Sequence, residues 1–179
     1  MKMVALLRGI NVGGNRKVPM LKLIALAEDS GFTEVKSYIN SGNLVFEVGK
    51  MKPDQVAAKL EKAIEKEFGF KVDVIVRTVS QWKKYSAGGP FQSAESARPK
   101  MLHLGLSRAP LRGDITPALL ERAMNGEKIK IVNDAIWVDF AKSVGNSKLT
   151  PAVFDKAAGS IVTMRNWNTV LKLWEMLNE

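Results

Sequence analysis

The sequence predicts an α+β fold in which the element order β-α-β-β-α-β occurs twice and is followed by an extra C-terminal helix. Short apolar or alternating segments typical of strands are interspersed with longer segments whose apolar residues recur every three or four positions, as in helices. A stretch rich in Gly, Pro and Ser separates the two halves. We therefore predict two ferredoxin-like subdomains at residues 1–86 and 99–179, joined by a linker at 87–98.

The elements of the first half are placed by the apolar pattern and by turn residues. Gly31 and Gly69 follow amphipathic segments and predict helix ends, because glycine readily adopts the left-handed conformation found there. Ser41-Gly42 separates two strand-like segments and predicts a hairpin turn. The predicted strands are Met3–Leu7, Val35–Asn40, Leu44–Val48 and Val72–Arg77, and the predicted helices are Pro19–Ser30 and Pro53–Phe68.

The second half repeats this order after a short helix predicted near Ser80–Tyr85. Asn133-Asp134 predicts its hairpin turn, and Gly126 and Gly159 predict helix ends. The duplication is one of pattern, since the residues themselves show no repeat. The predicted strands are Met101–Leu106, Lys128–Val132, Ile136–Phe140 and Ile161–Met164, and the predicted helices are Pro117–Met124, Pro151–Ala158 and Asn168–Leu177.

The composition excludes several functional classes. The chain has no Cys, which excludes disulfides and thiolate-bound zinc or iron–sulfur centres. No apolar stretch reaches the roughly 20 residues that span a bilayer, and Arg8 interrupts the N-terminal apolar run. We therefore expect a cytoplasmic protein with no membrane partner. The net charge of +9 favours anionic partners such as phosphorylated metabolites or nucleic acid.

The most distinctive segment is the glycine-rich, basic loop Arg8–Lys17, which joins the first predicted strand to the first helix. Gly13 and Gly14 let the backbone turn tightly and expose its N–H groups, while Arg and Lys at the two ends add positive charge. The following helix directs its positive end toward the same loop. With Asn11, these residues predict an anion site; the alternative is a tight turn whose glycines serve only the backbone.

Topology brings further polar residues to this loop. In a β-α-β-β-α-β unit the first two strands run parallel, so the end of the first strand and the hairpin after the second lie at the same edge. The hairpin contributes Asn40, Ser41 and Asn43 to the candidate site. These residue types also suit a plain turn, so a structural role is the alternative.

The same topology predicts a second polar cluster in the C-terminal half. The loop after its third strand carries Ser147 and Lys148, and its last strand ends near Arg165 and Asn166. The structural alternatives are that Ser147 caps the helix at Pro151 and that Asn166 caps the last helix. The two clusters form one cleft if the halves bring these edges together, and two separate sites otherwise.

Recognised catalytic and cofactor motifs are absent from the sequence. There is no Gly-x-x-x-x-Gly-Lys-Ser/Thr and no Gly-x-Gly-x-x-Gly, so P-loop and Rossmann nucleotide sites are disfavoured. His103 is the only histidine and lies mid-strand, so we interpret it as structural. Ser80 and Lys83 match Ser-x-x-Lys without its companion motifs, and Ser80 suits a helix N-cap. We predict no metal and no cofactor, and no catalytic residue is identified.

Four segments occur in a distinctive order across nearly the whole chain: Leu6–Gly14, Tyr38–Asn43, Ser147-Lys148 and Thr163–Thr169. In this combination the sequence resembles the bacterial domain-of-unknown-function 1697 family, with Ser37 a mild departure from the Thr usual there. The resemblance implies an intracellular protein with two ferredoxin-like subdomains and no established activity. It also implies that the signature residues of the family fall on both polar clusters.

Three functions stay open at this point. The first, which the residues favour, is binding of a small phosphorylated ligand by the polar clusters, with or without catalysis. The second is a protein-interaction adaptor whose signature loops only dock the two halves. The third is nucleic-acid binding through phosphate contacts. Stacking of bases on the sheet is disfavoured, because Phe46 is the only aromatic residue on the two central strands of the first half.

Overall fold

The computed structural model describes residues 1–179 and divides into two compact units. Unit 1 comprises Met1–Trp82 and Leu173–Glu179, and unit 2 comprises Lys83–Lys172. Each unit contains one four-stranded antiparallel sheet with helices, in the order β-α-β-β-α-β. The predicted α+β class, with two ferredoxin-like subdomains and a C-terminal helix, is confirmed.

Unit 1 has the strand order β2-β3-β1-β4, and every neighbouring pair is antiparallel. β1 and β2 therefore point the same way, which places the ends of both strands at one edge of the sheet. The short helix α3 (Val79–Ser86) follows β4 directly. The elements before it are β1 (Lys2–Leu7), α1 (Met20–Asp29), β2 (Thr33–Tyr38), β3 (Asn43–Glu47), α2 (Pro53–Phe68) and β4 (Val74–Thr78).

The core of unit 1 lies between its two long helices and one face of its sheet. Met3, Ala5 and Leu7 alternate along β1 and contribute to this core, as the period of a strand requires. Leu23 of α1 and Leu60 of α2 belong to the same core and are completely buried. This packing fixes the end of β1, from which the glycine-rich loop emerges.

Unit 2 repeats the architecture with the strand order β6-β7-β5-β8. Its neighbouring strands are again antiparallel, so β7 and β8 point the same way. The final helix begins in unit 2, and its residues from Leu173 onward belong to unit 1. The elements are α4 (Gln92–Ala97), β5 (Leu102–Ser107), α5 (Thr116–Leu120), β6 (Lys128–Val132), β7 (Ala135–Asp139), α6 (Pro151–Ala158), β8 (Val162–Asn166) and α7 (Trp167–Asn178).

The helix ends follow the local sequence rules at most positions. α2 and α6 end at Gly69 and Gly159, whose φ values of 76° and 62° are left-handed. The expectation that Ser80 caps α3 is wrong: Gln81 N–H donates to Thr78 Oγ1 at 3.3 Å, and Thr78 N–H donates to Gln81 Oε1 at 2.9 Å. This reciprocal capping box starts the helix two residues earlier.

No helix in the structure is both long and apolar enough to cross a membrane.

The segment predicted as a linker, residues 87–98, is folded within unit 2 and contains α4. The backbone of Gly89 lies so close to the Trp137 ring that a Cβ there would come within 2.9 Å of it. At the end of the segment, the Arg98 guanidinium makes a bidentate ion pair with the buried Asp139 carboxylate, with Nε 3.0 Å from Oδ1. The glycines of the segment 87–98 therefore permit close packing, as Gly89 does against Trp137, as well as turns.

Candidate functional site

The loop between β1 and α1 forms a miniature hairpin. Asn11 N–H donates to the Arg16 carbonyl at 3.1 Å, and Asn15 N–H donates to the Val12 carbonyl at 3.1 Å. At its tip, Gly13-Gly14 has φ values of 58° and 79°. Positive φ at both central positions is what a type I′ turn requires, so the turn itself accounts for the two glycines.

The Asn11 side chain holds this hairpin in place. Its Nδ2 donates to the carbonyls of Val18 at 3.0 Å and Asn40 at 2.8 Å, and its Oδ1 accepts the Val18 N–H at 2.8 Å. Asn11 has a φ of 56°, a conformation that asparagine tolerates better than most residues. Because these three bonds all go to backbone groups, Asn11 positions the loop.

The turn between β2 and β3 packs against the end of β1, which confirms the predicted neighbourhood of the two loops. Leu7 N–H donates to the Gly42 carbonyl at 2.8 Å. A Cβ on Gly42 would lie 2.7 Å from both Ile10 Cδ1 and Leu7 Cβ, so glycine is required there. Asn43 is completely buried, and its Nδ2 donates to Ser41 Oγ at 3.0 Å. Asn43 therefore braces the turn from inside.

Between the two loops lies a shallow depression of about 310 Å³. Lys17 is exposed and has no hydrogen bond or ion pair, and the N–H groups of Gly13 and Gly14 have no acceptor. Pro19 provides no side-chain cap for α1, so the first-turn N–H groups of that helix are also unpaired. The lining contains no carboxylate and consists of Asn11, Gly14, Lys17, Val18, Pro19 and Asn40.

The two arginines of the loop differ in exposure. Arg16 is exposed, has no partner and adjoins Lys17; it is not among the predicted site residues, although its place in the same basic loop is a signal for it. Arg8 is half-buried at the base of the loop, where its N–H donates to the Asp73 carbonyl at 3.0 Å. Neither arginine lines the depression, so Lys17 is the cationic side chain in its lining.

In unit 2, Ser147 is engaged by a buried carboxylate. Its Oγ donates to Glu127 Oε1, and Asn125 N–H donates to Glu127 Oε2 at 2.6 Å. Burial raises the pKa of Glu127, but these hydrogen bonds outweigh it and hold the pKa below its usual value. Ser147 thus ties its loop to the start of β6 and does not cap α6. Lys148 beside it is exposed and has no partner.

Arg165 and Asn166, at the end of β8, have partners within the fold. Arg165 is buried, and its Nη1 donates to Thr163 Oγ1 at 3.0 Å and to the Met164 carbonyl at 2.8 Å. Burial lowers the pKa of Arg165 to about 10, so the side chain stays charged at neutral pH. Asn166 Oδ1 accepts the Thr169 N–H at 3.0 Å, which makes Asn166 the N-cap of α7.

The polar residues of unit 2 do not form one cluster within the unit. Their two loops lie at the same end of the sheet, but β6 and β8 are its two outer strands. Ser147 is bonded beside β6 and Arg165 lies on β8, three strand positions away, which is about 14 Å at about 4.8 Å per strand. Of Ser147, Lys148, Arg165 and Asn166, Lys148 alone is exposed.

Unit 2 also has a depression at the topological position that matches the one in unit 1. It measures about 480 Å³ and lies between the loop after β5 and the β6–β7 turn, with Asp114, Lys130 and Asn133 in its lining. Asp114 accepts the Thr116 N–H at 2.9 Å, and hydrogen bonds from Thr116 lower the pKa of Asp114. A carboxylate that is ionised at neutral pH disfavours an anion, so the two depressions differ in chemistry.

The one histidine has a structural environment, as the sequence indicates. The His103 ring lies edge-on to Phe140 with centroids 5.1 Å apart, and its Nδ1 is 3.2 Å from the Met101 carbonyl. Burial lowers the pKa of His103. No group of three or more His, Cys, Asp or Glu residues is placed to hold a metal ion.

A family model described as a protein of unknown function (DUF1697) matches residues 1–137. The chain belongs to this family. The matched range includes both loops of unit 1, Arg8–Lys17 and Asn40–Asn43, and it ends before Ser147 and Arg165. The match therefore covers the loops that form the cationic depression of unit 1 and also the part of unit 2 up to residue 137.

Among solved structures, the conserved bacterial protein SP0830 from Streptococcus pneumoniae is similar to this chain. The two are 24% identical, the alignment covers 98% of each chain, and the TM-score is 0.70. At this identity the likeness shows the shared fold. No curated protein matches the sequence.

Proposed function

We propose that this protein binds a small phosphate-bearing ligand in the depression between the β1–α1 loop and the β2–β3 turn. The observation that carries the proposal is the lining: an unpaired Lys17 ammonium and an unbonded Gly14 N–H, with no carboxylate. Backbone N–H groups and a lysine together suit a phosphate, since both donate hydrogen bonds and neither repels its charge.

The loop is organised before any ligand arrives, which supports the proposal. Asn11 fixes the hairpin through three hydrogen bonds, and Gly42 allows the neighbouring turn to approach the end of β1. A site already in its bound shape has less conformational entropy to lose on binding. In this arrangement Lys17 supplies charge, Gly14 supplies an N–H donor, and Asn40 supplies a polar side chain at the rim.

The chemistry of the lining favours binding of charge over proton transfer. A general acid or base is most often His, Glu or Asp, and none of these lines the depression. If a reaction takes place here, Lys17 is the lining side chain able to transfer a proton, and the N–H groups stabilise the charge of the ligand.

In unit 2, the contacts of the predicted site residues favour the alternative that these residues have a structural role and bind no ligand. Ser147 is bonded to Glu127, Arg165 is buried, and Asn166 caps α7. Because these residues already have partners in the fold, we restrict the proposed ligand site to unit 1. A nucleic acid held through its phosphates would engage the same cations and would show a steep dependence on salt.

Thermal unfolding in the presence of inorganic phosphate, sugar phosphates, nucleotides and short oligonucleotides tests the proposal. A ligand at 100 times its Kd adds about 2.7 kcal/mol, which for a chain of this size raises Tm by about 5–11 °C. Lys17→Ala should abolish the shift without altering Tm in the absence of ligand. Lys50→Ala is the matched control, because Lys50 is also exposed and follows β3, at the opposite end of the same sheet. Equal shifts in both variants would contradict the assignment.

A further inference from the structure

Three of the most exposed large apolar side chains of the protein lie on the segments that form the depression in unit 1. Leu21 is 82% exposed, Val12 is 67% exposed and Ile39 is 50% exposed. Val12 follows Asn11, and Ile39 precedes Asn40. The two turns are joined, because Asn11 Nδ2 donates to the Asn40 carbonyl at 2.8 Å. Leu21 lies in the first turn of α1. Three separate turns therefore present apolar side chains to solvent at one end of the unit.

The same end of unit 1 is cationic. We use the name loop cap for residues 8–22 and 39–43, which contain four basic residues and no Asp or Glu. Three of the basic residues, Arg16, Lys17 and Lys22, are exposed and have no ion-pair partner. Asp73 adjoins the loop cap, since its carbonyl accepts the Arg8 N–H, but the cations are in excess, and such a surface is complementary to an anionic one.

We propose that the loop cap docks on the surface of an anionic lipid bilayer. The proposal rests on the phosphate site proposed above for one contact, that of a lipid head-group phosphate with the depression. Val12, Leu21 and Ile39 enter the boundary between head groups and acyl chains, and the surrounding Lys and Arg side chains contact anionic head groups. The expectation of no membrane partner rests on the lack of a membrane-spanning segment. Docking on a bilayer surface needs no such segment, so that expectation does not apply to it.

The arrangement of the apolar side chains favours a bilayer over a protein partner. A protein interface is centred on a contiguous, closely packed apolar patch. In the loop cap, Val12 and Leu21 are separated along the chain by Gly13, Gly14 and six further residues, and Ile39 comes from a different turn next to Asn40. A fluid lipid surface accommodates isolated apolar side chains individually, and its phosphates match the depression between them.

Co-sedimentation of the full chain with lipid vesicles tests the proposal. We expect binding to vesicles of phosphatidylcholine and phosphatidylglycerol in equal parts, and little binding to phosphatidylcholine alone. Leu21→Ser should weaken binding about tenfold, because it removes an apolar side chain from the bilayer. Lys17→Ala should weaken it about fivefold. Met124→Ser is the matched control, because Met124 is 75% exposed but lies in unit 2, and it should bind as the wild type does.

Stabilisation by inorganic phosphate, measured on the same variants, separates this proposal from the proposed function. Leu21→Ser should bind vesicles about tenfold more weakly than the wild type and keep its stabilisation by phosphate. Stabilisation by phosphate without vesicle binding would overturn the docking proposal and leave the phosphate site standing. In another outcome, Leu21→Ser weakens vesicle binding but inorganic phosphate does not stabilise the protein. That result would support docking and contradict the phosphate site. Equal binding by Leu21→Ser and Met124→Ser would also overturn the docking proposal.

Discussion

At the scale of single residues, Asn11 shows how a predicted ligand contact can instead organise the site. Its amide joins the glycine-rich hairpin to the carbonyl of Asn40 and closes the loop onto Val18. The sequence places Asn11 beside glycines and basic residues, which is where a ligand contact would also lie. What an amide bonds depends on backbone groups far along the chain, and those become neighbours only in the folded structure.

Replacing Asn11 by alanine should therefore destabilise the fold. Three hydrogen bonds are lost, and alanine is strained at a φ of 56°. We expect a loss of about 1–3 kcal/mol in the free energy of unfolding, measured by urea denaturation. Asn15→Ala is the control, because the Asn15 side chain is exposed and makes no hydrogen bond. A loss no greater than that of the control would show that the Asn11 amide does not hold the loop.

The buried Asp139 carboxylate should make the fold sensitive to acid. Burial raises the pKa of Asp139, but hydrogen bonds from Arg98 and from the Ala141 N–H outweigh it and hold the pKa below its usual value. A carboxyl whose pKa is lower in the folded state contributes stability above its unfolded pKa. That contribution is lost as the pH falls through the folded pKa.

Asp139→Asn should accordingly lower the free energy of unfolding by about 1–3 kcal/mol at pH 7. This loss is smaller than for a fully buried ion pair, because the Arg98 side chain is 33% exposed. Below about pH 4 the difference between variant and wild type should shrink. Denaturation at both pH values measures this, with the exposed Glu121→Gln as the control. An unchanged difference at low pH would mean that the Asp139 charge is not what stabilises the pair.

At the scale of elements, the parallel direction of β1 and β2 explains why the site in unit 1 was predictable. That direction follows from the element order, and it brings the ends of both strands to one edge whatever the loops contain. In unit 2 the same rule correctly places two loops at one end of the sheet. It does not say toward which outer strand the loop 140–150 runs, and the bond of Ser147 to Glu127 draws that loop to β6, away from β8.

Two glycines of the loop cap have nearly the same backbone conformation but different surroundings, so replacing each by alanine distinguishes backbone strain from steric overlap. Gly42 and Gly14 have φ values of 78° and 79°, so alanine is strained equally at both. A Cβ on Gly42 would lie 2.7 Å from Ile10 and Leu7, whereas nothing lies within 4 Å of one on Gly14. Gly42→Ala should therefore cost about 1–3 kcal/mol more in unfolding free energy than Gly14→Ala, measured by thermal or urea unfolding. Equal losses would show that the turn does not press against β1.

At the scale of the whole molecule, two units of the same topology carry different surface chemistry. The depression of unit 1 is lined by Lys17 and no carboxylate, whereas the matching depression of unit 2 includes Asp114. The sequence predicts the repeated fold, because strand and helix periods are local properties. It does not reveal this difference, since the side chains that line each depression come from loops and turns distant in the chain.

Titration of the isotope-labelled full chain with inorganic phosphate, followed by amide chemical shifts, tests the central claim most directly. Binding in the depression should produce saturable shifts centred on Gly13, Gly14 and Lys17, and Lys17→Ala should abolish them while Lys50→Ala keeps them. Shifts of equal size in both variants, shifts centred on Lys148 instead, or no saturable shift at all would contradict the account.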